Sequence, residues 1–464
     1  MPRVLPFAGL HYNPERAGEV ASLLADAADW GPHTIRHPSG KGQGAEPATA
    51  AYQRRAVATA TRSDQHHASR LFSDWAGTVA GDWLRHQVLA QDDSPSLYLY
   101  RCRRPVPEEL RHGPGVVEEG SYVGILAGLG FDKDHPLRVT EQLDPSAVEQ
   151  MVPAMKAFAL DVAPVWAVFS KAALEDRAKQ LDSLVSQAVG GQPVLKFGDP
   201  QGGSHELWRL AADQAQQAAG ILSGVPMAAV QGGLQVAAER ELVTRRGAPP
   251  NGMPPSVLAL VTSVDGPGAE VPAVLPVHRL LLASSGISAG RLEQRLASFF
   301  RVMEVPQTAA PGDPVAALEA ALAELGKARP EFSGFVLYTG RGRFRLVRSK
   351  GRMFMESWTH PLGRAAWRAM DINVLHALVF ERILGMPPQE SRTNAPPVAT
   401  ELSPVKALDR VDSGEAVAAF FLAPPAPAQL LAAALENNAT PADAVRPWPP
   451  VPAGLVLRWR RRSA

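Results

Sequence analysis

Few residues in this chain have the types and spacing that chemistry needs. The pair His278-Arg279 directly follows the apolar run Ala273 to Val277. A cation pair at a strand end can bind phosphate or carboxylate. The same two side chains can instead bind backbone carbonyls and a buried acid, and the sequence leaves both readings open. His33 and His37 lie four residues apart in a stretch rich in Gly and Pro, where loop chemistry occurs. No third ligand accompanies them, so no metal site is expected. The adjacent His66-His67 falls in a helical pattern; neighbours on a helix point about 100° apart and cannot easily share one ion. That pair reads as solvated surface.

Other signatures are missing. There is no phosphate loop and no H-E-x-x-H zinc helix. Gly40-Lys-Gly-Gln-Gly44 has neither the spacing nor the flanks of a phosphate loop. Gly124, Gly128 and Gly130 sit inside an apolar strand pattern, where glycine marks close packing or a bulge. Cys102 is the single cysteine, which excludes an intrachain disulfide and a Cys-based zinc cluster and fits a reducing cytoplasm. No cofactor is specified by any motif.

The elements that must position these residues follow from periodicity. Ala51 to Leu89 reads as a helix through Phe72, Trp75, Val79 and Trp83, after a long loop over His33 to Ala50. Strands are expected at Ser96 to Cys102, Gly120 to Leu129, Val165 to Phe169, Glu206 to Leu210, Val257 to Val264 and Ala273 to Ala283. Helical patterns cover Ala172 to Val189, most of the segment up to Arg246, Ala289 to Phe300, Val315 to Lys327 and Ile372 to Leu384, the last closed by Gly385. A hairpin is expected around Thr339-Gly-Arg-Gly342, and Pro387 to Val398 reads as a linker. The irregular alternation predicts an α+β (mixed α/β), multi-lobed protein with mixed sheets flanked by helices. The expected lobes are an N-terminal one over 1–160, a central one over 161–386, and a C-terminal segment over 387–464 that packs back on the core.

Bulk properties narrow the partners. Lys plus Arg number 47 against 46 Asp plus Glu, so no global charge draws the chain to nucleic acid or an acidic membrane. The tail Arg458 to Arg462 is basic and reads as a solvated end. Ala416 to Leu435 is uncharged and long enough to span a bilayer. Pro424, Pro425 and Pro427 break it, so a strand to Leu422 and a helix from Ala428 are expected instead. No membrane span is expected, and the oligomeric state is not legible.

Several segments, in this order, resemble a bacterial family known as domain of unknown function 1015. They are Leu5-Pro-Phe-Ala-Gly-Leu-His-Tyr-Asn13, Trp83-Leu84, Ser96 to Tyr100, Val165 to Phe169, Glu206-Leu-Trp208, Leu275-Pro-Val-His-Arg279, Asp371-Ile-Asn-Val-Leu-His376 and Pro452 to Val456. The resemblance implies four polar motifs, and this chain departs from each. The "PPYDV" turn falls on Gly31 to Ile35, with His33 and Thr34 at the tyrosine and aspartate. The "HE-x-T" motif falls on Thr140-Glu-Gln-Leu143 and keeps Glu141. The "GHHR" turn falls on Gly232 to Gln235, keeping Gly232 but with Gly233, Leu234 and Gln235 at the reactive positions. "MP-x-KST" falls on Thr440 to Val445, with Asp443 at the lysine.

The "GHHR" turn is similar to the phosphate-holding turn of a ParB/sulfiredoxin-like core. The resemblance therefore implies a catalytically degenerate homologue retained for binding or assembly. The alternative is a phosphotransferase or small-metabolite enzyme of serine-kinase-like type. Glu141 would be its general base, His278 and Arg279 its anion holders, and His33 an acid at the ligand. A small metabolite or nucleotide is the partner that either reading allows.

Overall fold

In the computed structural model the described residues are 2–16, 25–26, 84–112, 116–132, 134–157, 160–246, 255–265, 271–305, 313–327, 333–351, 365–387 and 397–460. His33, Thr34, His37, His66, His67 and most of the helix expected over Ala51 to Leu89 lie outside them, as does most of the expected linker after Pro387.

A nine-stranded mixed sheet holds the first core. Its main path runs Leu195–Gly198, Ser204–Arg209, Tyr98–Pro105, Glu119–Gly130, Ser256–Ser263, Val165–Phe169, Met227–Gln231, Arg138–Val139, with Arg3–Leu5 added beside Glu119–Gly130. Two neighbouring pairs are parallel, Ser256–Ser263 with Val165–Phe169 and Met227–Gln231 with Arg138–Val139. Both strands of the first pair are buried along their length; sheets covered on both faces read as continuous apolar runs. The glycines of Glu119–Gly130 are close-packing sites: a Cβ on Gly124 would stand 2.6 Å from Leu260 Cδ1, and one on Gly128 2.7 Å from Arg458 Nη1.

A second, six-stranded antiparallel sheet runs Phe300–Glu304, Phe344–Ser349, Gly334–Tyr338, Ala416–Phe421, His278–Leu282, Val398–Glu401. One face packs with helices Pro314–Lys327 and Pro404–Asp412 through Leu318, Leu322, Leu408 and Val411. The other packs on Leu375, Leu378, Val379 and Phe380 of a π-helical segment, Leu375–Ile383. That second face shares one apolar cluster with the first sheet, through Trp166, Leu126 and Leu260. Ser403 caps Pro404–Asp412 by accepting the Lys406 N–H, with Pro404 in the first turn, a strong helix start.

Three elements differ from the periodicity reading. Ala273 to Ala283 is two strands: Ala273–Pro276 pairs with Val445–Trp448, and His278–Leu282 enters the second sheet. Pro276 has no N–H to extend a ladder. The segment before Arg246 is interrupted by the strand Met227–Gln231, whose Met-Ala-Ala composition favours helix and is overridden by burial. The described part of the basic tail, to Arg460, is not a solvated end. Val456–Trp459 pairs with Gly9–Tyr12 and Leu160–Asp161, and buried Arg458 donates to Asp161 and to Ser256. Arg460 is ion-paired to Glu239. As expected, Ala416–Phe421 is a strand and Pro427–Leu435 a helix. No helix among the described residues is long and apolar enough to cross a membrane.

The fully buried indole of Trp166 donates to Thr262 Oγ1 at 2.9 Å across the parallel pair. Thr262→Val keeps the shape and removes the acceptor. It is expected to cost about 1–3 kcal/mol, read as a lowered thermal unfolding midpoint.

Candidate functional site

Three chain segments meet at the start of helix Gly233–Arg246. Met227–Gln231 brings the chain in, parallel to Arg138–Val139 with Ala229 opposite Val139. Thr140 continues that pairing: its N–H donates to Ala229 O at 3.0 Å and its hydroxyl to Val230 O at 3.4 Å. Gly232 makes the turn with φ +86°, a conformation open to glycine. The helix then begins at Gly233, where a Cβ would stand 2.5 Å from Val139 Cγ1 and 2.9 Å from Glu141 Oε1. Glu141 therefore lies against the helix N-terminus and accepts the Gly233 N–H at 3.3 Å. Such a terminus presents free N–H groups and a partial positive charge.

Leu234 and Gln235 are both committed elsewhere. Leu234 packs against the cluster of Met151, Val152, Met155, Ala238 and Leu242. The Gln235 amide donates to Ala163 O at 3.3 Å. Beside them the amide N and O of Gln231 are buried with no hydrogen-bond partner among the described residues.

The third segment is the chain around Thr440. Its N–H and hydroxyl both donate to Thr140 O, at 2.6 and 2.8 Å, and its carbonyl accepts the Gln142 N–H at 2.7 Å. Glu141 and Thr440 form a single parallel bridge there. Asp443, with φ +52°, is exposed and within electrostatic reach of Glu141. Burial pushes the Glu141 carboxyl up to about 7; the Asp443 charge adds to the rise and the Gly233 N–H opposes it.

Arg279 holds this segment. Its guanidinium is fully buried and donates Nη2 to Ala442 O and Asp443 O at 3.1 and 3.0 Å, Nη1 to Val277 O at 3.0 Å, and Nε to His376 Nε2 at 2.9 Å. Burial lowers its proton affinity to about 10, against the pull of Asp443, so it remains a cation at neutral pH. His278 points the other way. Alternation along the strand puts it with Leu280 on the face packed by Leu318 and Leu408. It lies edge-on to Phe421, 5.0 Å between ring centres. Its Nδ1 accepts the Leu422 N–H at 3.3 Å, and Nε2 has no partner among the described residues. Burial, with Arg279 adding, pushes it down to about 3, so it is neutral.

The structure thus brings Glu141 within electrostatic reach of Asp443, whose backbone Arg279 holds, and turns His278 away; His33 lies outside the described residues. Among those residues no group of three or more His, Cys, Asp or Glu side chains could hold a metal ion. An open cleft of about 480 Å³, lined by Val264, Pro272, Val274, Gly326, Pro424 and Pro425 among others, carries no charged side chain and belongs to a different feature.

Two polar clusters escaped the sequence reading. Asp199 accepts His205 Nε2 and Arg104 Nε at 2.9 Å each, and the Gln201 and Gly203 N–H groups at 2.8 Å each. Burial opposes its charge, yet these donors hold it at about 2. The Tyr100 hydroxyl completes the chain, 2.7 Å from His205 Nδ1, and Cys102 Sγ lies 3.6 Å from the same nitrogen. Burial pushes that thiol up to about 12, which makes it inert. In the second cluster Asp92 accepts the Tyr98 hydroxyl and faces His11 and Arg209 at 3.5 and 3.2 Å. His11 is raised although burial opposes its charge, because Asp92 and the Tyr12 carbonyl favour the imidazolium. Cross-strand register, with His205 opposite Cys102, and two turns, at Asp92 and Asp199, join these residues.

A protein family described as "Protein of unknown function (DUF1015)" matches residues 4–373. No curated protein matches the chain. Among solved structures, a conserved hypothetical protein from Pyrococcus furiosus is 10% identical with a TM-score of 0.33, over 72% of this chain and 95% of that one. A free serine kinase in complex with AMP is 12% identical with a TM-score of 0.33, over 71% and 91%. A variant of that kinase in complex with ADP is 11% identical with a TM-score of 0.33, over the same shares.

Arg279→Met keeps similar bulk and removes every donor, leaving the Ala442 and Asp443 carbonyls and His376 Nε2 without this partner. The expected cost is above about 3 kcal/mol, seen as a large drop in thermal midpoint together with faster proteolysis within 437–444. Arg279→Lys is expected to lose less, since an ammonium replaces the charge but not the fork.

Proposed function

We propose, from the premise that the chain belongs to the DUF1015 family of unknown function, that it is a catalytically degenerate member retained for binding or assembly. The observation that supports this reading is the occupant of the Gly233–Arg246 helix N-terminus, which is the chain's own Glu141 carboxyl. A helix N-terminus is a ready phosphate site when it is vacant and flanked by cations. Here an incoming polyanion would meet Glu141 and Asp443, while Arg279 is already engaged with carbonyls and His376. Asp443 opposes such a ligand, as does Glu141 when ionised, and the Glu141 carboxyl in either state occupies the terminus. Leu234 and Gln235, at the positions of the reactive histidine and arginine in the resemblance, carry no charge.

A second reading has one observation in its favour. A carboxyl brought to about 7 is matched to general acid–base work at neutral pH. On that reading Glu141 would act on a small metabolite or nucleotide, and Arg279 would serve through the backbone it holds rather than by touching the ligand. His278, neutral and on the opposite face of its strand, contributes to neither reading as an anion holder.

The test is a thermal-shift series with AMP, ADP, ATP with Mg²⁺, inorganic phosphate and free amino acids, followed by assay of phosphoryl transfer from ATP or ADP. A ligand at 100 times its Kd stabilises by about 2.7 kcal/mol, well above detection. The degenerate reading expects no shift with any nucleotide or phosphate and no transfer. Transfer that disappears in Glu141→Gln would establish the enzyme reading instead.

A further inference from the structure

We propose that His11 is a pH-sensitive clasp: as an imidazolium it ties strand Gly9–Tyr12 to the turn at Asp92, and alkaline pH discharges it. The inference goes beyond the degenerate reading and does not depend on it.

The partners of the ring count its protons. His11 is buried, and each of its nitrogens meets a group that only accepts. Nδ1 lies 3.0 Å from Tyr12 O, and Nε2 lies 3.5 Å from Asp92 Oδ1. A carbonyl has no proton to donate, and neither has an ionised carboxylate. Burial opposes the Asp92 charge, yet the bonds from His11 and Tyr98, with the Arg209 charge, hold its carboxyl below the usual carboxylate range. Both nitrogens of His11 therefore carry protons, and the ring is a cation.

Strand Gly9–Tyr12 reaches Asp92 by three routes. His11 faces it directly. The Gly9 N–H donates to Tyr98 Oη at 2.8 Å, and that hydroxyl donates in turn to Asp92. A Cβ on Gly9 would stand 2.4 Å from Tyr98 Oη, so only glycine fits this approach. The Asp92 N–H donates back to Gly9 O at 3.0 Å. From strand Ser204–Arg209, Arg209 Nε lies 3.2 Å from Asp92 Oδ1, and Nη2 donates to Ser94 O and Oγ at 3.0 and 2.8 Å. One carboxylate thus stands between two cations.

The ladder neighbours of His11 are Ala90 and Val456, both uncharged. The charges that act on it are Asp92, which favours the imidazolium, and Arg209, which opposes it. The Tyr98 phenol shares Asp92 and stays protonated, since burial and that carboxylate both raise it. Burial disfavours a charged ring at position 11, but Asp92 and the Tyr12 carbonyl outweigh it, and His11 titrates above its ordinary 6.5. The sign follows from linkage. The clasp contributes fully below about 6.5 and is lost as pH rises through the folded value. The backbone ladders to Leu89–Gln91 and Val456–Trp459 do not titrate. Discharge therefore weakens the grip on the turn and leaves the strand paired.

Two measurements on the full chain test this. The assigned His11 ring nitrogens are followed by NMR from pH 5.5 to 9. Their midpoint is expected above 6.5, with both nitrogens protonated below it. In Asp92→Asn the midpoint is expected to fall below that of the wild type, and in Arg209→Met to rise above it. Thermal midpoints of the wild type and His11→Gln are compared over the same range, where the other histidines cancel in the difference. The wild-type advantage is expected to be largest near pH 6 and to shrink towards pH 9. A His11 midpoint at or below 6.5, or an advantage level with pH, overturns the proposal. Should His11→Gln fail to fold, an unshifted His11 midpoint in Asp92→Asn overturns it as well.

Discussion

A fully buried guanidinium with no carboxylate bonded to it is an expensive thing to fold around, because a desolvated charge must find partners for all its donors. Arg279 finds them in backbone carbonyls at 277, 442 and 443 and in one imidazole nitrogen. Much of the architecture near the site is a consequence. The π-helical segment Leu375–Ile383 must present His376 with Nε2 as an acceptor, hence neutral. The chain after helix Pro427–Leu435 must run back to offer two successive carbonyls. Those carbonyls place Thr440 beside Thr140, and the returning chain leads on to Val445–Trp448 and to the closing strand Val456–Trp459. Removing the cation would free the segment that borders Glu141, although Arg279 lies in the second sheet and Glu141 just beyond an edge strand of the first.

Charge placement then decides what the start of helix Gly233–Arg246 can accept. Helix termini and glycine turns are generic; the sign of the side chains around them is not. Arg279 faces backbone and His376, the turn is bordered by the Glu141 carboxyl and the Gln231 amide, and Asp443 acts on Glu141 through its charge. The helix dipole is satisfied internally by Glu141, as a capping side chain would satisfy it.

How far the sequence foretold this depends on the range of the interaction. Strands such as Glu119–Gly130 and helices such as Ala289–Phe299 were legible because local periodicity and caps determine them. Gly232 was legible as a turn because a positive φ favours glycine. His278 and Arg279 stood out as a pair, yet strand alternation sends them to opposite faces, and adjacency in sequence conceals that. Asp443 was noticed through the family resemblance alone. Its relation to Glu141 comes from a bridge about 300 residues apart in the chain. The Asp199–His205–Tyr100 cluster was invisible for the same reason, since no spacing rule links a turn, two cross-strand residues and a tyrosine. Met227–Gln231 was hidden differently, by residues whose local preference is helical and whose burial in a sheet overrides it.

The departures at Gly233, Leu234, Gln235 and Asp443 hang together physically. With Glu141 pressed against the turn, a side chain at Gly233 has no room; its Cβ alone would come within 2.9 Å of the carboxyl oxygen. Burial, with the Asp443 charge adding to it, raises the proton affinity of Glu141, and the uncharged Gly233, Leu234 and Gln235 do not offset it. A positive charge at 443 would favour the ionised carboxyl, whereas the Asp443 charge favours the protonated one. Each residue therefore favours the same state, a turn closed on a carboxyl that retains its proton near neutrality. At this turn Glu141, Gly233 and Asp443 agree with one another in charge and in volume, and the buried Gln231 amide, with no partner among the described residues, is the exception.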